Sequence, residues 1–225
     1  MATPLTHGFV QDLLEAVALP DPVVEFGALQ VEPGQDGDLR PLFAGRDYLG
    51  TDLRPGPGVD RVEDLRALTL EDGSVGTALC LDTLEHCADP PQACRELARV
   101  TAPGGVCVIA SVMLFGIHAY PSDFFRFTPE GFRTMLEQGF DDAWAIGLGH
   151  PGLPTFVLGV GAKGRALDLG LDRLPRTAAA QRDYDAAPGR IRLGALRYGP
   201  RQLAREVAPE LARLARERLR RGRGF

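Results

Sequence analysis

The sequence predicts an α/β protein: a doubly wound, mostly parallel sheet of seven strands with an antiparallel C-terminal hairpin, followed by a basic helical extension. Three observations predict it. Up to about residue 139, strand-like apolar runs alternate with amphipathic helices, which calls for crossover connections and a parallel sheet covered on both faces. Two strand-like runs, "DAWAIGLG" and "TFVLGVGAK", then follow in succession around the turn "HPGLP", as in an edge hairpin. Residues 165–225 hold 15 arginines against 7 acids, whereas residues 1–164 hold 10 basic against 23 acidic residues, within a net charge of -5. The chain is therefore divided into a domain of residues 1–164 and an Arg-rich linker and helical extension of residues 165–225.

Each element has a local reason. Residues 6–18 fit a helix with Phe9, Leu13, Leu14 and Val17 on one side, ended by Pro20 and Pro22. The β-branched Val23 and Val24 open a first strand, 22–26; Glu25 sets a carboxylate near its end and Gly27 permits a sharp turn. A loop rich in Gly and Asp leads to a short helix near Leu39–Phe43. "DYLGTD" reads as the second strand, ending at Asp52, "RPGPG" as a turn, and "DRVEDL" as a short third strand ending near Asp64. Residues 77–81 make a buried fourth strand. Asp89 caps a helix whose first turn contains Pro90 and Pro91, with Ala93, Cys94, Leu97 and Val100 inward. "APGG" stops it ahead of the apolar fifth strand, 105–112. Thr128 and Pro129 start a helix that turns Phe132, Met135 and Leu136 inward and ends at Gly139. Beyond 165 the pattern weakens, and residues 172–192 read as a linker. From Gly199 onward Leu203, Val207, Leu211, Leu214 and Leu219 recur at helical spacing among arginines, with Pro209 as a kink or break.

Composition excludes several classes. The N-terminus lacks a basic-then-apolar leader, and the longest apolar run, "VCVIASVMLFGI", is too short for a membrane-spanning helix. A cytoplasmic protein with no membrane association is expected. Cys80, Cys87, Cys94 and Cys107 form no CxxC pair and sit in apolar or helical patterns, which fits reduced core thiols. The four histidines are scattered, with no HExxH spacing, so no metal is expected. An acidic body argues against a broad nucleic-acid surface.

In a parallel sheet, ligands bind outside the carboxyl ends of the strands, where strand order reverses. Glu25, Asp52, Asp64 and the segment 81–86 all fall at such ends. A carboxylate closing the second strand can accept two hydrogen bonds from ribose hydroxyls, about 1.5–3 kcal/mol each. Asp64 is placed to meet an adenine amino group. Any one of these acids alone also suits a solvated loop end or a helix cap.

The order "VVEFG … YLGTD … VEDLRAL … ALCLDTLEH … RELARVTAPGGVCVIASV", over residues 20–162, resembles the class I S-adenosylmethionine-dependent methyltransferases of the methyltransferase-11 type. "LEH" after the fourth strand and "ELARVTAPGG" before the fifth are its most specific pieces. The resemblance implies a Rossmann-like sheet and S-adenosyl-L-methionine as cofactor. By it, Glu25 and Gly27 line the methionine side, Asp52 with Leu53 holds the ribose, Asp64 with Leu65 flanks the adenine, and Leu81, Asp82 and His86 edge the cofactor cleft. Leu29 and Val31 stand where later glycines of that family's first loop are expected. No G-x-G-x-x-G is present to seat a pyrophosphate, which argues against NAD.

The segment "IHAYPSDFFRFTPEGF", 117–132, looks like a subgroup placed with carbohydrate or natural-product tailoring. It offers a base, a hydroxyl and an ion pair in His118, Tyr120, Asp123 and Arg126, with His118 as the catalytic base. It also suits, and somewhat better, a structural lid in which Asp123 pairs with Arg126 and the phenylalanines pack, and both roles are compatible. The expected function is methyl transfer to a small-molecule acceptor, on oxygen, such as a sugar or natural-product intermediate. A non-catalytic binding or scaffold module on the same fold is the alternative, and a nucleic-acid methyltransferase using the arginine tail is a third. The tail's leucine stripe suits docking on the acidic body or on a second copy in a homo-oligomer.

Overall fold

The computed structural model describes residues 3–30, 37–118, 121–186, 191–193 and 196–198. The chain divides into two compact units, Met1–Arg182 and Asp183–Phe225.

The first unit opens with helix α1, Pro4–Ala16. It begins earlier than the hydrophobic period suggests. Thr3 caps it: the Thr6 N–H donates to Thr3 Oγ1 at 3.3 Å and the Thr3 N–H donates to Thr6 Oγ1 at 2.6 Å. Pro4 occupies the first turn, where its missing N–H costs nothing. Strand β1 (Val23–Phe26) follows, then β2 (Tyr48–Asp52), β3 (Arg61–Val62) and β4 (Val75–Leu81). Between β1 and β2 a 3-10 turn at Arg40–Phe43 is the element among the described residues. Helix α2 (Pro90–Val100) is capped by Asp89, whose carboxylate accepts the Gln92 N–H, and leads into β5 (Thr101–Val112). Helix α3 (Pro129–Leu136), capped by Thr128, precedes the hairpin of β6 (Asp142–His150) and β7 (Leu153–Ala162).

The sheet order is β3-β2-β1-β4-β5-β7-β6. β3, β2, β1, β4 and β5 pair in parallel, and β7 runs antiparallel to both β5 and β6. This is the seven-stranded, mostly parallel architecture with a terminal hairpin that the sequence predicts. Strand alternation divides the core. Val24 and Phe26 of β1, Cys80 of β4, and Cys107 and Ile109 of β5 pack with α2 and α3. Val23, Leu79, Leu81, Val106 and Val108 face α1 and Phe43. Phe9, Leu13, Leu97 and Phe132 are fully buried, each worth about 1.5–3 kcal/mol. All four cysteines are free and buried. No helix among the described residues is long and apolar enough to cross a membrane.

After β7 a 3-10 turn, Leu171–Arg173, leads to α4, Pro175–Ala186. The first turn of α4 is held by Asp12 of α1, a fully buried carboxylate. Asp12 accepts the backbone N–H of Arg176 (3.1 Å) and of Thr177 (2.8 Å), the Arg176 guanidinium (3.0 Å) and the Thr177 hydroxyl (2.8 Å). In the second unit β8 (Ile191–Leu193) and β9 (Leu196–Tyr198) form an antiparallel ribbon. The basic helix expected from Gly199 onward, and with it any oligomer contact it would make, lies outside the described residues.

Candidate active site

A cavity of about 810 Å³ opens at the carboxyl ends of β1, β2 and β4, a size usual for small-molecule sites. It lies where strand order reverses, with β1 flanked by β2 on one side and β4 on the other. Gly27, Asp52, Leu53, Asp64, Leu65, Asp82, His86 and His118 all line it. The fold thus gathers eight predicted residues from five separate segments onto one wall.

Gly27 leaves β1 with φ at +93°, and a Cβ there would sit 2.0 Å from Thr83 Oγ1. Only glycine fits this turn without strain. Its N–H donates to Thr51 O at 2.8 Å, holding the loop against β2. Glu25, one residue before Phe26, does not reach the cavity: it is buried and its carboxylate accepts the Tyr48 hydroxyl. Burial pushes its carboxyl above the usual range, against the lowering effect of that bond. Leu81 is likewise in the core rather than on the wall.

Asp52 accepts the Leu29 N–H (3.4 Å) and the Arg54 N–H (3.0 Å). A carboxylate has about four acceptor sites, so two remain for a ligand. Leu29 is accommodated because Gly56 lacks a side chain: a Cβ at position 56 would meet Leu29 Cδ1 at 2.4 Å. Asp64 is engaged by Arg66, whose Nη2, Nε and backbone N–H donate to it at 2.7, 3.0 and 2.9 Å. That pairing holds the Asp64 carboxyl below its usual range. Asp82 adopts φ +49° at the end of β4 and accepts the Thr3 N–H (3.3 Å) and the Thr6 hydroxyl (3.2 Å). Burial pushes its pKa up to about 7, with the Glu85 charge adding to the shift.

The side of the cavity away from β2 is built with the chain after β5. The Glu85 carbonyl accepts the Phe124 N–H at 2.8 Å, and the Glu85 carboxylate accepts the Ser111 hydroxyl at 2.7 Å. The His118 N–H donates to Asp123 Oδ2 at 2.9 Å, and Nδ1 lies 3.1 Å from the same oxygen. Arg126 grips Asp123 through both oxygens, at 2.5 and 2.7 Å, and donates to the Gly116 and Phe115 carbonyls. The guanidinium beside it holds the Asp123 carboxyl well below the carboxylate range. The Asp123–Arg126 pair therefore braces the loop that carries His118 and is not itself on the cavity wall. Tyr120 lies outside the described residues.

Sequence reading passed over Glu85 and Glu63, both buried and both on the cavity wall. Glu85 sits inside the "LEH" motif, and its signal was an acid beside Leu84 a few residues after a buried strand. Glu63 carried no such mark.

The seven-stranded sheet has the α/β methyltransferase fold that the sequence resemblance implies. A family model described as a methyltransferase domain matches residues 44–109, from the approach to β2 through most of β5. Among solved structures, the YcgJ protein of Bacillus subtilis matches at 15% identity and TM-score 0.52, covering 71% of this chain and 99% of that one. An S-adenosylmethionine-dependent methyltransferase from Mesorhizobium loti matches at 17% identity and TM-score 0.52, covering 69% and 95%. A chain of the complex between the Haloferax volcanii Trm112 methyltransferase activator and a methyltransferase matches at 20% identity and TM-score 0.50, covering 71% and 90%. No curated protein matches the sequence.

Proposed function

We propose that the chain is an S-adenosylmethionine-dependent methyltransferase acting on an oxygen of a small-molecule acceptor. The observation that carries this reading is the meeting of Gly27, Asp52, Asp64 and Asp82 around one cavity at the reversal of strand order. The donor set fits the cofactor. A nucleoside bearing a sulfonium and an ammonium group suits an acid-lined wall, and carrying no phosphate it needs no glycine-rich anion nest. Asp52 with Leu53 would hold the ribose, Leu65 and Asp64 the adenine side, and Gly27 with Asp82 the methionine side. Bound there, S-adenosylmethionine would supply an already activated methyl group.

The chain's own work is alignment and exclusion of water, which together can supply about 7–11 kcal/mol. Val112, Phe115, Phe124 and Phe156 give the acceptor side an apolar wall. Asp123 can only accept, so His118 Nδ1 carries the proton and Nε2 presents the lone pair. His118 is thereby oriented to take a proton from an acceptor hydroxyl.

Calorimetry with S-adenosylhomocysteine tests the cofactor assignment, with binding in the micromolar range expected. His118→Ala is expected to lower turnover about a hundredfold, the usual scale of a general base, while leaving that binding intact. No binding at millimolar ligand would leave a methyltransferase fold without its cofactor. Unchanged turnover in the variant would remove His118 from the chemistry.

A further inference from the structure

Glu85, His86 and His118 lie at the floor of the acceptor side and are joined by no sequence spacing that signals a metal. One ligand atom from each, a ring nitrogen or a carboxylate oxygen, falls within 4.8 Å of the other two. Among the described residues this is the group of that kind that the fold assembles.

The surroundings fix how each group presents itself. His86 Nδ1 lies 2.6 Å from the Ser122 carbonyl. A carbonyl only accepts, so Nδ1 carries the proton and Nε2 of the neutral ring keeps its lone pair. His118 Nδ1 faces Asp123 at 3.1 Å and the Gly116 carbonyl at 3.2 Å, with the same consequence. A second nitrogen tied to a carbonyl or carboxylate is the arrangement that fixes tautomer and ring orientation in metal-bound histidines. The ring centroids are 4.8 Å apart with planes at 82°. Glu85 is almost fully buried, and Ser111 steadies one of its oxygens at 2.7 Å. Neither Nε2 accepts a hydrogen bond from any described residue. One water has two protons to offer these three acceptors, whereas one cation can meet all three.

We propose that Glu85, His86 and His118 bind a divalent transition-metal ion on the acceptor side of the cavity. Two imidazoles and one carboxylate suit zinc, iron, cobalt or manganese and leave coordination positions open. Ligand atoms on an ion with bonds of about 2.0–2.1 Å lie about 3.0–3.4 Å apart at octahedral or tetrahedral angles, so the set, now within 4.8 Å, draws in by up to about 1.4–1.8 Å on binding. The open positions face a cavity walled by Phe115 and Phe124. They select an acceptor that offers two neighbouring oxygen atoms on an apolar body, and the ion makes one hydroxyl easier to deprotonate. This rests on the methyltransferase reading only for the role of the ion, not for its binding. With the ion in place His118 is a ligand, and the coordinated hydroxyl, made more acidic, gives its proton to solvent water rather than to His118.

The test uses the full, untagged chain after chelator treatment, with neither cofactor nor acceptor. Cobalt(II) is titrated in and followed by its visible d–d absorption and by calorimetry. Wild type is expected to saturate at one equivalent. His86→Ala and His118→Ala should each weaken binding at least tenfold, and Asp123→Asn, which removes the orienting carboxylate charge, about tenfold. His150→Ala, at the end of β6, should leave binding unchanged. A folded wild type that takes up no cobalt at millimolar metal overturns the proposal without any variant. Equal binding by both histidine variants, checked for fold by circular dichroism, overturns the placement. S-adenosylhomocysteine calorimetry on the same sample separates the two ideas: S-adenosylhomocysteine binding without cobalt binding sinks the cation site alone, and cobalt binding without S-adenosylhomocysteine binding supports the site while removing the cofactor.

Discussion

Replacing Gly27 by alanine perturbs the turn at the end of β1 in two separable ways. The backbone there holds φ at +93°, which costs an L-residue about 1–2 kcal/mol. The new Cβ would also lie 2.0 Å from Thr83 Oγ1 and 2.8 Å from Thr83 Cγ2. Thr83 must then move, giving up the hydrogen bond that its one hydroxyl proton makes to Leu81 O (2.8 Å), with Phe26 O at 3.3 Å as the weaker alternative acceptor. At about 1 kcal/mol for that bond, Gly27→Ala is expected to cost about 2–3 kcal/mol. In a Thr83→Ala background the nearest remaining side-chain atom is Cβ at 3.0 Å, and the cost should fall to about 1–2 kcal/mol, the backbone term alone. Urea denaturation of the four proteins closes the cycle, with a coupling of about 1 kcal/mol expected between the two sites. Equal costs in both backgrounds would show that the steric account is wrong. A cost below about 0.5 kcal/mol in either background would refute the positive φ itself.

Asp12→Ala should destabilise the first unit by about 3 kcal/mol, because the buried Thr177 N–H and hydroxyl lose their acceptor together; a change within 0.5 kcal/mol in urea unfolding would mean the contact contributes nothing. Asp82 gives a pH dependence. Its folded pKa is raised to about 7 by burial, so the folded state holds a proton that the unfolded chain releases near pH 4. Stability from this group is therefore fully present in acid and declines as pH rises from about 4 through 7. Unfolding midpoints of wild type minus those of Asp82→Asn, measured between pH 4 and 8, should fall across that window, and a difference that stays flat would show Asp82 titrating normally.

The sheet was legible because its strands are apolar runs with abrupt polar ends, and helices α2 and α3 because their caps and prolines mark the first turn. Start positions were less so. Thr101–Gly105 reads as a loop in sequence, yet Thr101 pairs with Val75 across a bulge and extends β5. The side of the cavity formed by the strand ends was readable from position, since acids at strand ends of a parallel sheet converge by topology alone. The side carrying Glu85 and His118 was not. Glu85 and His118 are brought together by the Glu85 carbonyl holding Phe124, and by Asp123 turning back on the His118 N–H. Those contacts depend on how a loop folds over the sheet, which periodicity does not encode. Glu25 illustrates the opposite case: a correct strand-end position, but with a side chain drawn toward Tyr48 and away from the ligand wall.

The Asp12 contact also sets an order of events during synthesis. The carboxylate of Asp12 finds its partners among the described residues some 165 positions on, at Arg176 and Thr177. Until that segment has been made, α1 can settle against the sheet only with an unpartnered carboxyl pressed into the core, so the nascent helix stays loosely held and open to proteases or chaperones until residues 176 and 177 can reach it.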